Sequence, residues 1–480
     1  MSADGTLTAL LHASAARHPA QTVLIDGDDR VAYAELEERT ARFAGLLRGH
    51  GIEPGDRVAV LLPNEAAFVE AAFGAWRLGA VVVPFSPLLR AREIELRLTH
   101  AGATALVTEP AQAAALDMRA ALVDPAAARD AEPVAAAPTA PDDVALLLYT
   151  SGTTGDPKAA ELTHAGLHAV ATNLAAAFEL GPDDVVLGAA PLAHVLGQGA
   201  VNMAIAAGSA VALVRRFEPA SALELLERTG TTVFLGVPTM CLELLRLSEG
   251  AASVPRLRVA HVGGAPLAPE TLHAFAERFG CAVLEGYGMT ETAGTLTTHR
   301  LGRPVKPGSV GEPVEGVEVR IADDGEVLVR GRGVMRGYRG DPDATRATLS
   351  ADGWLATGDI GRLDGDGYLV LLDRKKDVIL RGGYTVYPRE VEEVLYAHYD
   401  VQEAVVVGVP HPSLGEEVVA LVVPRGPECD AAAVQAFVRE RVAAYKYPRL
   451  VVLMDALPHG PSGKIQRREI DRAELARRLP

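Results

Sequence analysis

The chain has 480 residues, of which 49% are hydrophobic, and a formal net charge of −16. This length predicts more than one domain with large buried cores, and the composition excludes wholesale disorder. The acidic balance argues against a nucleic-acid-binding or anionic-membrane-binding protein, because both surfaces recruit Lys and Arg. The cysteines Cys241, Cys281 and Cys429 lack metal-ligand spacing, and residues 1–6 lack the features of a signal peptide. We therefore expect a soluble, cytoplasmic protein without a transmembrane segment.

The first half of the chain alternates apolar runs with amphipathic segments. Strands are predicted at residues 57–62, 80–84, 105–107 and 144–148, and helices at 65–78, at 92–99 and from about 164. This alternation is typical of a parallel sheet covered by helices on both faces. Residues 110–143, rich in Ala, Pro and Asp, interrupt the alternation and are predicted to be an irregular surface connection.

From about residue 311, the alternation of predicted strands and helices gives way to short predicted strands. Strands at 317–321, 326–330 and 368–372 are separated by Asp-Gly turns, which predicts a β-rich subdomain. A smaller α+β unit follows, with helices at 389–396 and 431–443 and strands at 403–409 and 417–423. The sequence thus predicts an α/β fold with a large N-terminal domain of doubly wound α/β subdomains plus a β-rich subdomain, at 1–373. A small α+β C-terminal domain is predicted at 374–480.

Residues 149–158 read Tyr-Thr-Ser-Gly-Thr-Thr-Gly-Asp-Pro-Lys and lie between a predicted strand and a predicted helix. Glycines let backbone N–H groups approach an anion, hydroxyls donate further hydrogen bonds, and Lys158 adds a positive charge. The segment differs from the common P-loop, because Pro157 precedes the lysine. A flexible surface loop is the alternative interpretation. The candidate phosphate ligands are Thr150, Ser151, Gly152, Thr153, Thr154, Gly155 and Lys158.

Further segments stand in a fixed order along the chain. They are Pro191-Leu-Ala-His194, HVGGAPL at 261–267, EGYGMTE at 285–291, GWLATGD at 353–359, DRKKDVILRGG at 373–383, and PSGK at 461–464. Together with the loop at 149–158, they resemble the adenylate-forming superfamily of acyl-CoA synthetases, luciferases and nonribosomal-peptide adenylation domains. The resemblance covers nearly the whole chain, from the region of Tyr33 to Lys464.

The resemblance implies that ATP activates a carboxylic acid as acyl-AMP with release of pyrophosphate, after which a thiol displaces AMP. Thr150 and Glu291 would bind Mg²⁺, a hard cation suited to oxygen ligands, although Glu291 alone could be a solvated acid. Asp359 would accept both ribose hydroxyls and Arg374 would add a bond to the ribose, the alternative being a surface ion pair. The nucleoside would otherwise contact Gly264, Ala265, Pro266, Tyr287, Gly288 and Thr290, with Tyr287 as the ring against which adenine stacks.

Two half-reactions in one site imply two arrangements of the C-terminal domain. In this superfamily the lysine at position 464 bridges the substrate carboxylate and the α-phosphate during adenylation. The mobile domain then turns about a hinge residue, which falls on Lys376. After this rotation the face at Arg381, Gly382, Gly383 and Tyr384 would form the tunnel for the pantetheine arm of coenzyme A.

The acid substrate is read from the segment around His194. Amino-acid adenylation domains carry an aspartate where this chain has Ala-His-Val-Leu, so an α-amino acid is disfavoured. His194 would gate the acyl pocket or orient the carboxylate, the alternative being a core histidine. A medium- or long-chain fatty acid fits best, and an aryl or cinnamic-type acid is second. The other predicted pocket residues are small or apolar: Leu196, Gly197, Ala200, Val237, Gly264, Gly286 and Ala293.

The β-rich region indicates which thiol accepts the acyl group. The strand at 326–330 runs directly into Val334-Met-Arg-Gly-Tyr338, without the insertion typical of ligases that load carrier proteins. This favours coenzyme A, while an acyl-carrier protein and a homodimer stay open. A non-catalytic adenylate-binding protein is disfavoured, because Lys158, Glu291, Asp359 and Lys464 are all present.

Overall fold

The computed structural model describes residues 5–114, 116–150, 158–247, 256–459 and 465–479. The chain divides into two compact units: the first holds residues 1–319, 329–355 and 365–369, and the second holds 320–328, 356–364 and 370–480. The predicted mixed α/β fold class is confirmed. The domain boundary at 373/374 stays a prediction.

The first unit contains a largely parallel sheet. Its central strands are parallel, whereas the strands at both ends pair antiparallel. Apolar residues on these strands pack against helices, as in the stacked rings of Phe234 and Phe275, whose centroids lie 6.1 Å apart. In spatial order its nine described strands are Glu312–Pro313, Gly294–Thr298, Ala282–Met289, Val259–Val262, Val233–Gly236, Val185–Gly188, Ala210–Leu213, Thr22–Asp26 and Asp29–Ala32.

A second sheet of the same unit carries the predicted phosphate loop. In spatial order its seven described strands are Gly337–Tyr338, Lys158–Thr163, Val144–Thr150, Val81–Pro84, Arg57–Val60, Ala105–Val107 and Ala121–Val123.

Two expectations about this second sheet were wrong. Residues 149–158 do not join a strand directly to a helix: the strand Lys158–Thr163 intervenes and pairs antiparallel with Val144–Thr150. The helix then begins at His164, where the Thr163 side chain accepts a hydrogen bond from the Gly166 N–H. The stretch 110–143 is likewise not wholly irregular, because Ala121–Val123 adds a parallel strand. Three residues are too few for a periodicity signal.

Two smaller sheets follow. The four-stranded sheet has the order Val317–Ile321, Glu326–Gly331, Leu355–Leu363, Leu369–Arg374. In the second unit, Tyr384–Val386, Ile379–Arg381, Gly415–Pro424 and Val401–His411 lie side by side, and Leu450–Leu453 pairs with Gly415–Pro424. Apolar residues from both faces of this sheet form cores that include Val406 and Val407.

The helices cover these sheets, and their bounds differ from the predicted ones by a few residues. No described helix is long and apolar enough to cross a membrane. The described α-helices are Leu7–Arg17, Tyr33–Gly49, Ala66–Arg77, Ala91–Ala101, Pro110–Ala113, His164–Ala177, Val195–Ala207, Pro219–Thr229, Pro238–Leu247, Pro269–Phe279, Pro342–Thr348, Pro388–Tyr396, Ala431–Arg439 and Arg472–Arg477, with short 3₁₀ turns at Pro125–Asp130, Thr290–Thr292 and Arg467–Glu469.

Candidate functional site

The two ends of the predicted phosphate loop face each other across an antiparallel pair of strands. Thr150 is the register partner of Lys158, and both side chains are half-buried. The strand pairing therefore holds the two ends of the loop close together, as a phosphate cradle requires. The predicted ligands Ser151, Gly152, Thr153, Thr154 and Gly155 lie outside the described residues.

Tyr338 contacts both charged residues beside this loop. Its hydroxyl donates a hydrogen bond of 2.8 Å to Oε1 of Glu291, and the Lys158 ammonium lies 5.5 Å from the centre of its ring. Burial, with the Glu291 carboxylate adding to it, raises the pKa of Tyr338 above its ordinary value, so the hydroxyl stays a donor at neutral pH. The structure thus brings Lys158 and Glu291 together around a tyrosine that was not predicted as a site residue.

The surroundings of Glu291 suit a hard cation. Its carboxylate is buried, and among the described residues it has no ion-pair partner. A buried carboxylate without a cation is costly, and oxygen ligands are those that Mg²⁺ prefers. The described residues contain no cluster of three or more His, Cys, Asp or Glu that would form an all-protein metal site. Glu291 therefore fits a cation that is held jointly by the protein and by phosphates.

The predicted adenine wall lies at the ends of neighbouring strands. Gly263 follows the strand Val259–Val262, and its N–H donates to the Gly236 carbonyl at 3.1 Å. Gly264 adopts a left-handed φ of 80°, and a Cβ there would lie 3.7 Å from Val237 Cγ1. Ala265 and Pro266 are exposed, whereas Tyr287 is largely buried on the strand Ala282–Met289. Thr290 begins the 3₁₀ turn that carries Glu291.

Gly288 lies where this strand meets Gly294–Thr298, at an irregularity in the pairing. A Cβ at Gly288 would lie 1.9 Å from the Gly294 carbonyl oxygen. The wall is therefore fixed by close backbone contacts that only glycine permits.

A buried imidazole lies behind the predicted acyl pocket. A Cβ on Gly286 would lie 2.3 Å from Cε1 and 3.0 Å from Nε2 of His261. Burial lowers the pKa of His261 to about 4, so its ring is neutral at pH 7, and Nδ1 lies 3.4 Å from Thr298 Oγ1. The apolar wall expected for the acyl pocket is therefore interrupted by one neutral polar ring.

His194 precedes the helix Val195–Ala207 and is exposed. Its loop is held by two buried amides that were not predicted. Asn64 donates to the Ala190 carbonyl at 2.9 Å and accepts from the Leu192 N–H at 2.8 Å, and Gln198 donates to the Leu192 carbonyl at 2.7 Å. Asn64 follows the strand Arg57–Val60, and the carboxyl end of a parallel strand is a signal that could have identified it.

The predicted pocket residues on the helix Val195–Ala207 differ in exposure. Leu196 is half-buried, whereas Gly197 and Ala200 are buried. A Cβ on Gly197 would lie 2.2 Å from the Pro191 carbonyl oxygen, so only glycine fits beside the His194 loop. Ala293 has a left-handed φ of 55°, which is uncommon for alanine, and a Cβ on the adjacent Gly294 would lie 4.0 Å from Val195 Cβ.

In the second unit, the predicted ribose ligands form an ion pair. Arg374 Nε lies 2.7 Å from Asp359 Oδ1, with Asp359 buried and Arg374 exposed. Lys375 pairs with Asp324 and Glu326 at 2.7 Å each. The Asp359 carboxylate is therefore held in place by its burial, with the Arg374 guanidinium beside it.

The predicted hinge and tunnel residues follow in the same unit. Lys376 is exposed, and Arg381 pairs with Glu417 at 2.5 Å. Gly382 and Gly383 both have positive φ and form the turn between Arg381 and Tyr384, which are register partners. The Tyr384 ring stacks on Tyr445, with centroids 4.6 Å apart.

Lys464 lies outside the described residues, but both sides of its segment are described. His459 and Ile465 form an antiparallel bridge, and the Gln466 N–H donates to the Pro458 carbonyl at 2.8 Å. Arg467 then pairs with Glu392 at 2.5 Å and with Asp377 at 3.5 Å. Both ends of the segment are thus anchored within the second unit.

Comparison with known proteins gives consistent matches along the chain. Residues 11–339 match the family model described as AMP-binding enzyme, and residues 390–464 match the AMP-binding enzyme C-terminal domain. A feruloyl-CoA synthase from Amycolatopsis sp is 40% identical over 96% of each chain. A long-chain-fatty-acid–CoA ligase from Bacillus subtilis is 32% identical over 97% of this chain and 94% of its own length.

The fold is similar to that of solved structures over nearly its whole length. The o-succinylbenzoate CoA synthetase from Bacillus subtilis, in complex with its acyl-adenylate intermediate, has a TM-score of 0.87 at 31% identity. The match covers 96% of this chain and 97% of that one.

Proposed function

The chain belongs to the AMP-binding enzyme family, within the adenylate-forming superfamily, and from this membership we propose that it is a CoA ligase for an aryl acid of the hydroxycinnamate type. Its carboxylate would attack the α-phosphorus of ATP and displace pyrophosphate. The thiol of coenzyme A would then attack the acyl carbon of the mixed anhydride and displace AMP. The full-length similarity to a feruloyl-CoA synthase is the observation that carries the choice of acid.

The predicted acyl wall is compatible with a compact aromatic acid. Gly286, Gly197 and Ala200 leave little side-chain volume on the wall, which suits a flat ring. The His261 imidazole behind Gly286 is a neutral polar group, which a purely hydrocarbon chain would not use. An amino acid is disfavoured because no carboxylate stands beside His194 to accept its ammonium group.

The residues of the first unit would carry the charge of the adenylation step. The loop that begins at Thr150 and ends at Lys158 would hold the departing phosphates, and a bound Mg²⁺ would offset phosphate charge at Thr150 and Glu291. Tyr287 would stack on adenine and the backbone of Gly264 would approach it closely. His194 would orient the substrate carboxylate at the mouth of the pocket.

The residues of the second unit would complete each half-reaction. Asp359 would accept the ribose hydroxyls beside Arg374, and Lys464 would stabilise the charge that develops between carboxylate and α-phosphate. Rotation about Lys376 would exchange Lys464 for the turn at Gly382 and Gly383, where the absence of side chains leaves room for pantetheine.

A medium- or long-chain fatty acid is the second candidate substrate. The buried, apolar Ala200 and the half-buried Leu196 are compatible with an alkyl chain, and a fatty-acid–CoA ligase is among the relatives. The two candidates differ in the shape of the acid rather than in the reaction.

Pyrophosphate release measured with ATP and Mg²⁺ tests the proposal. The acids are ferulate, 4-coumarate, cinnamate, benzoate, fatty acids of increasing length and malonate, each with and without coenzyme A, with products identified by mass. We expect a hydroxycinnamoyl-CoA product and the highest kcat/KM for a hydroxycinnamate.

Each other outcome has a defined meaning. A fatty acid with the higher kcat/KM would replace the aryl acid by the second candidate. An acyl-AMP that coenzyme A does not discharge would replace coenzyme A by a carrier protein. The absence of pyrophosphate release with every acid would contradict the proposed ligase activity itself.

A further inference from the structure

Among the described residues, Tyr338 contacts two opposite charges that form no ion pair with each other. Its hydroxyl donates to Glu291 Oε1 at 2.8 Å, and Lys158 Nζ lies 5.5 Å from the centre of its ring. Across the described part of the chain, Lys158 and Glu291 form no ion pair with each other. One tyrosine therefore contacts both charges, through its ring on one side of the interaction and through its hydroxyl on the other.

The backbone around Tyr338 is held on several sides. The strand Gly337–Tyr338 pairs with Lys158–Thr163, with Tyr338 opposite Ala160, and the Arg339 N–H donates to the Ala159 carbonyl at 2.8 Å. The Tyr338 N–H donates to Thr345 Oγ1 at 2.9 Å. The Met335 N–H donates to the Glu291 carbonyl at 2.8 Å, so the segment before Tyr338 is tied directly to the turn that carries the carboxylate.

We propose that Tyr338 is a positioning residue for the adenylation step: its hydroxyl orients the Glu291 carboxylate, and its ring holds the Lys158 ammonium apart from that carboxylate. This inference rests on the proposed function, in which Lys158 meets the phosphates of ATP and Glu291 meets Mg²⁺. A direct Lys158–Glu291 ion pair would satisfy both charges internally and would have to be broken before ATP and the cation bind. Separation by a neutral aromatic ring keeps both groups available.

The two roles of the side chain can be separated by two substitutions. Tyr338→Phe removes the hydroxyl and keeps the ring, whereas Tyr338→Leu removes both. ATP affinity is measured by isothermal titration without any acid, over a series of Mg²⁺ concentrations. For Tyr338→Phe we expect the Mg²⁺ concentration at half-maximal ATP binding to rise roughly tenfold, the scale of a hydrogen bond to a charged group, with unchanged ATP affinity in the absence of Mg²⁺. For Tyr338→Leu we expect weaker ATP binding with and without Mg²⁺.

Tyr368→Phe is a matched control in the same unit. The Tyr368 hydroxyl donates to the Pro304 carbonyl at 3.0 Å, and Lys306 Nζ lies 4.4 Å from the centre of its ring. This tyrosine therefore has the same two kinds of contact, but its hydroxyl meets a backbone carbonyl instead of Glu291. We expect ATP binding by Tyr368→Phe to depend on the Mg²⁺ concentration in the same way as ATP binding by the wild-type protein.

The half-reactions provide a second readout. Tyr338→Phe should slow pyrophosphate release while thioester formation from supplied acyl-AMP stays within about twofold, because that step does not use the β- and γ-phosphates. An unchanged Mg²⁺ dependence in Tyr338→Phe, or an equal shift in Tyr368→Phe, would overturn the inference. So would equal losses in both half-reactions. If the unchanged protein releases no pyrophosphate with any acid, the proposed function fails, but the titration still reports on Tyr338.

Discussion

The two units fix their candidate site residues by different means. In the first unit, the walls are set by glycines whose missing side chains let backbones meet, as at Gly288 and Gly197, and by neutral buried groups such as His261 and Asn64. In the second unit, the corresponding positions are set by ion pairs, as between Asp359 and Arg374. Packing therefore positions the candidate site residues of the first unit, whereas charge positions those of the second.

The two units should respond differently to substitutions that add volume or remove charge. Backbone contacts have no flexible partner that can move aside, so a small addition of volume is severe. The contribution of an ion pair to the free energy of unfolding depends on its burial. A buried pair is costly to break, whereas an exposed pair contributes little and is screened by salt. The first unit should therefore be sensitive to volume, and the second to charge at its buried positions.

The strongest test of the packing side is Gly288→Ala. The added Cβ would lie 1.9 Å from the Gly294 carbonyl oxygen and 2.9 Å from Thr295 Cα, both backbone atoms of the adjoining strand. We expect the free energy of unfolding to fall by at least about 4 kcal/mol and ATP binding to be lost. Gly181→Ala is the control, since a Cβ there meets nothing within 4 Å. Urea unfolding and calorimetric ATP titration measure the two effects. If Gly288→Ala keeps both the stability and the ATP affinity of the original protein, the adjoining strand moves to make room for the methyl group and the prediction is wrong.

The strongest test of the charge side is Arg467→Gln. It would leave the carboxylates of Glu392 and Asp377, both only slightly exposed, without this cation. We expect a loss of about 3 kcal/mol in urea unfolding, the lower end for a broken buried pair, because the Arg467 side chain is 24% exposed.

Two further variants check this interpretation. The adjacent, exposed Arg468→Gln removes the same charge and should change little. Adding Glu392→Gln to Arg467→Gln should recover part of the loss, because it removes one of the stranded carboxylates. No recovery in the double variant would mean that packing, not charge, explains the effect of Arg467.

The buried imidazole of His261 predicts a pH dependence in the first unit. Burial lowers its pKa from 6.5 to about 4 in the folded protein, so between these values the unfolded chain binds more protons than the folded one. Stability should therefore fall as pH drops from 6.5 towards 4, by up to about 1.4 kcal/mol per pH unit for this residue.

His261→Gln should make that slope shallower without abolishing it, because burial also lowers the pKa of His164 to about 4. Urea unfolding from pH 4.5 to 8 measures the slope. The comparison at pH 8, where neither imidazole is charged, isolates the packing cost of the substitution. Equal slopes in both proteins would contradict the assignment.

The smallest expected effect is that of Lys375→Gln. The lysine pairs with Asp324 and Glu326, but its side chain is 47% exposed. Such pairs contribute little and are screened at physiological salt. We expect no measurable change in unfolding at 0.15 M salt, and a loss that is visible only at low salt would sharpen the contrast with Arg467.

Most of the regular elements could be predicted from the sequence, because their signals are local. The strands Ala105–Val107 and Val317–Ile321 have the predicted bounds, and the helix predicted at 65–78 is Ala66–Arg77. The strand Lys158–Thr163 was missed because Lys-Ala-Ala-Glu-Leu-Thr has weak β-propensity. It is a strand because Val144–Thr150 on one side and Gly337–Tyr338 on the other provide its hydrogen-bond partners.

The candidate site shows the same limit. Motifs placed Lys158 and Glu291 in one site by resemblance, but no spacing connects either of them to Tyr338, which is 47 positions beyond Glu291. Asn64 was likewise missed: its place after a predicted strand could have marked it as a site candidate, but nothing in the sequence shows which distant carbonyl its amide contacts. Side chains that act by holding another group leave little signal in a sequence, because their partner is chosen by the fold.

The sequence by itself determined the α/β class, the order of most elements, the family and the motifs that bear charge, because these depend on local periodicity and on short runs of residues. Only the tertiary structure decided that Tyr338 contacts both Lys158 and Glu291, that His261 lies behind Gly286, and that Arg467 pairs with both Glu392 and Asp377. The physical reason is that each of these contacts joins distant segments, and strand order and packing alone bring such segments within a few ångströms.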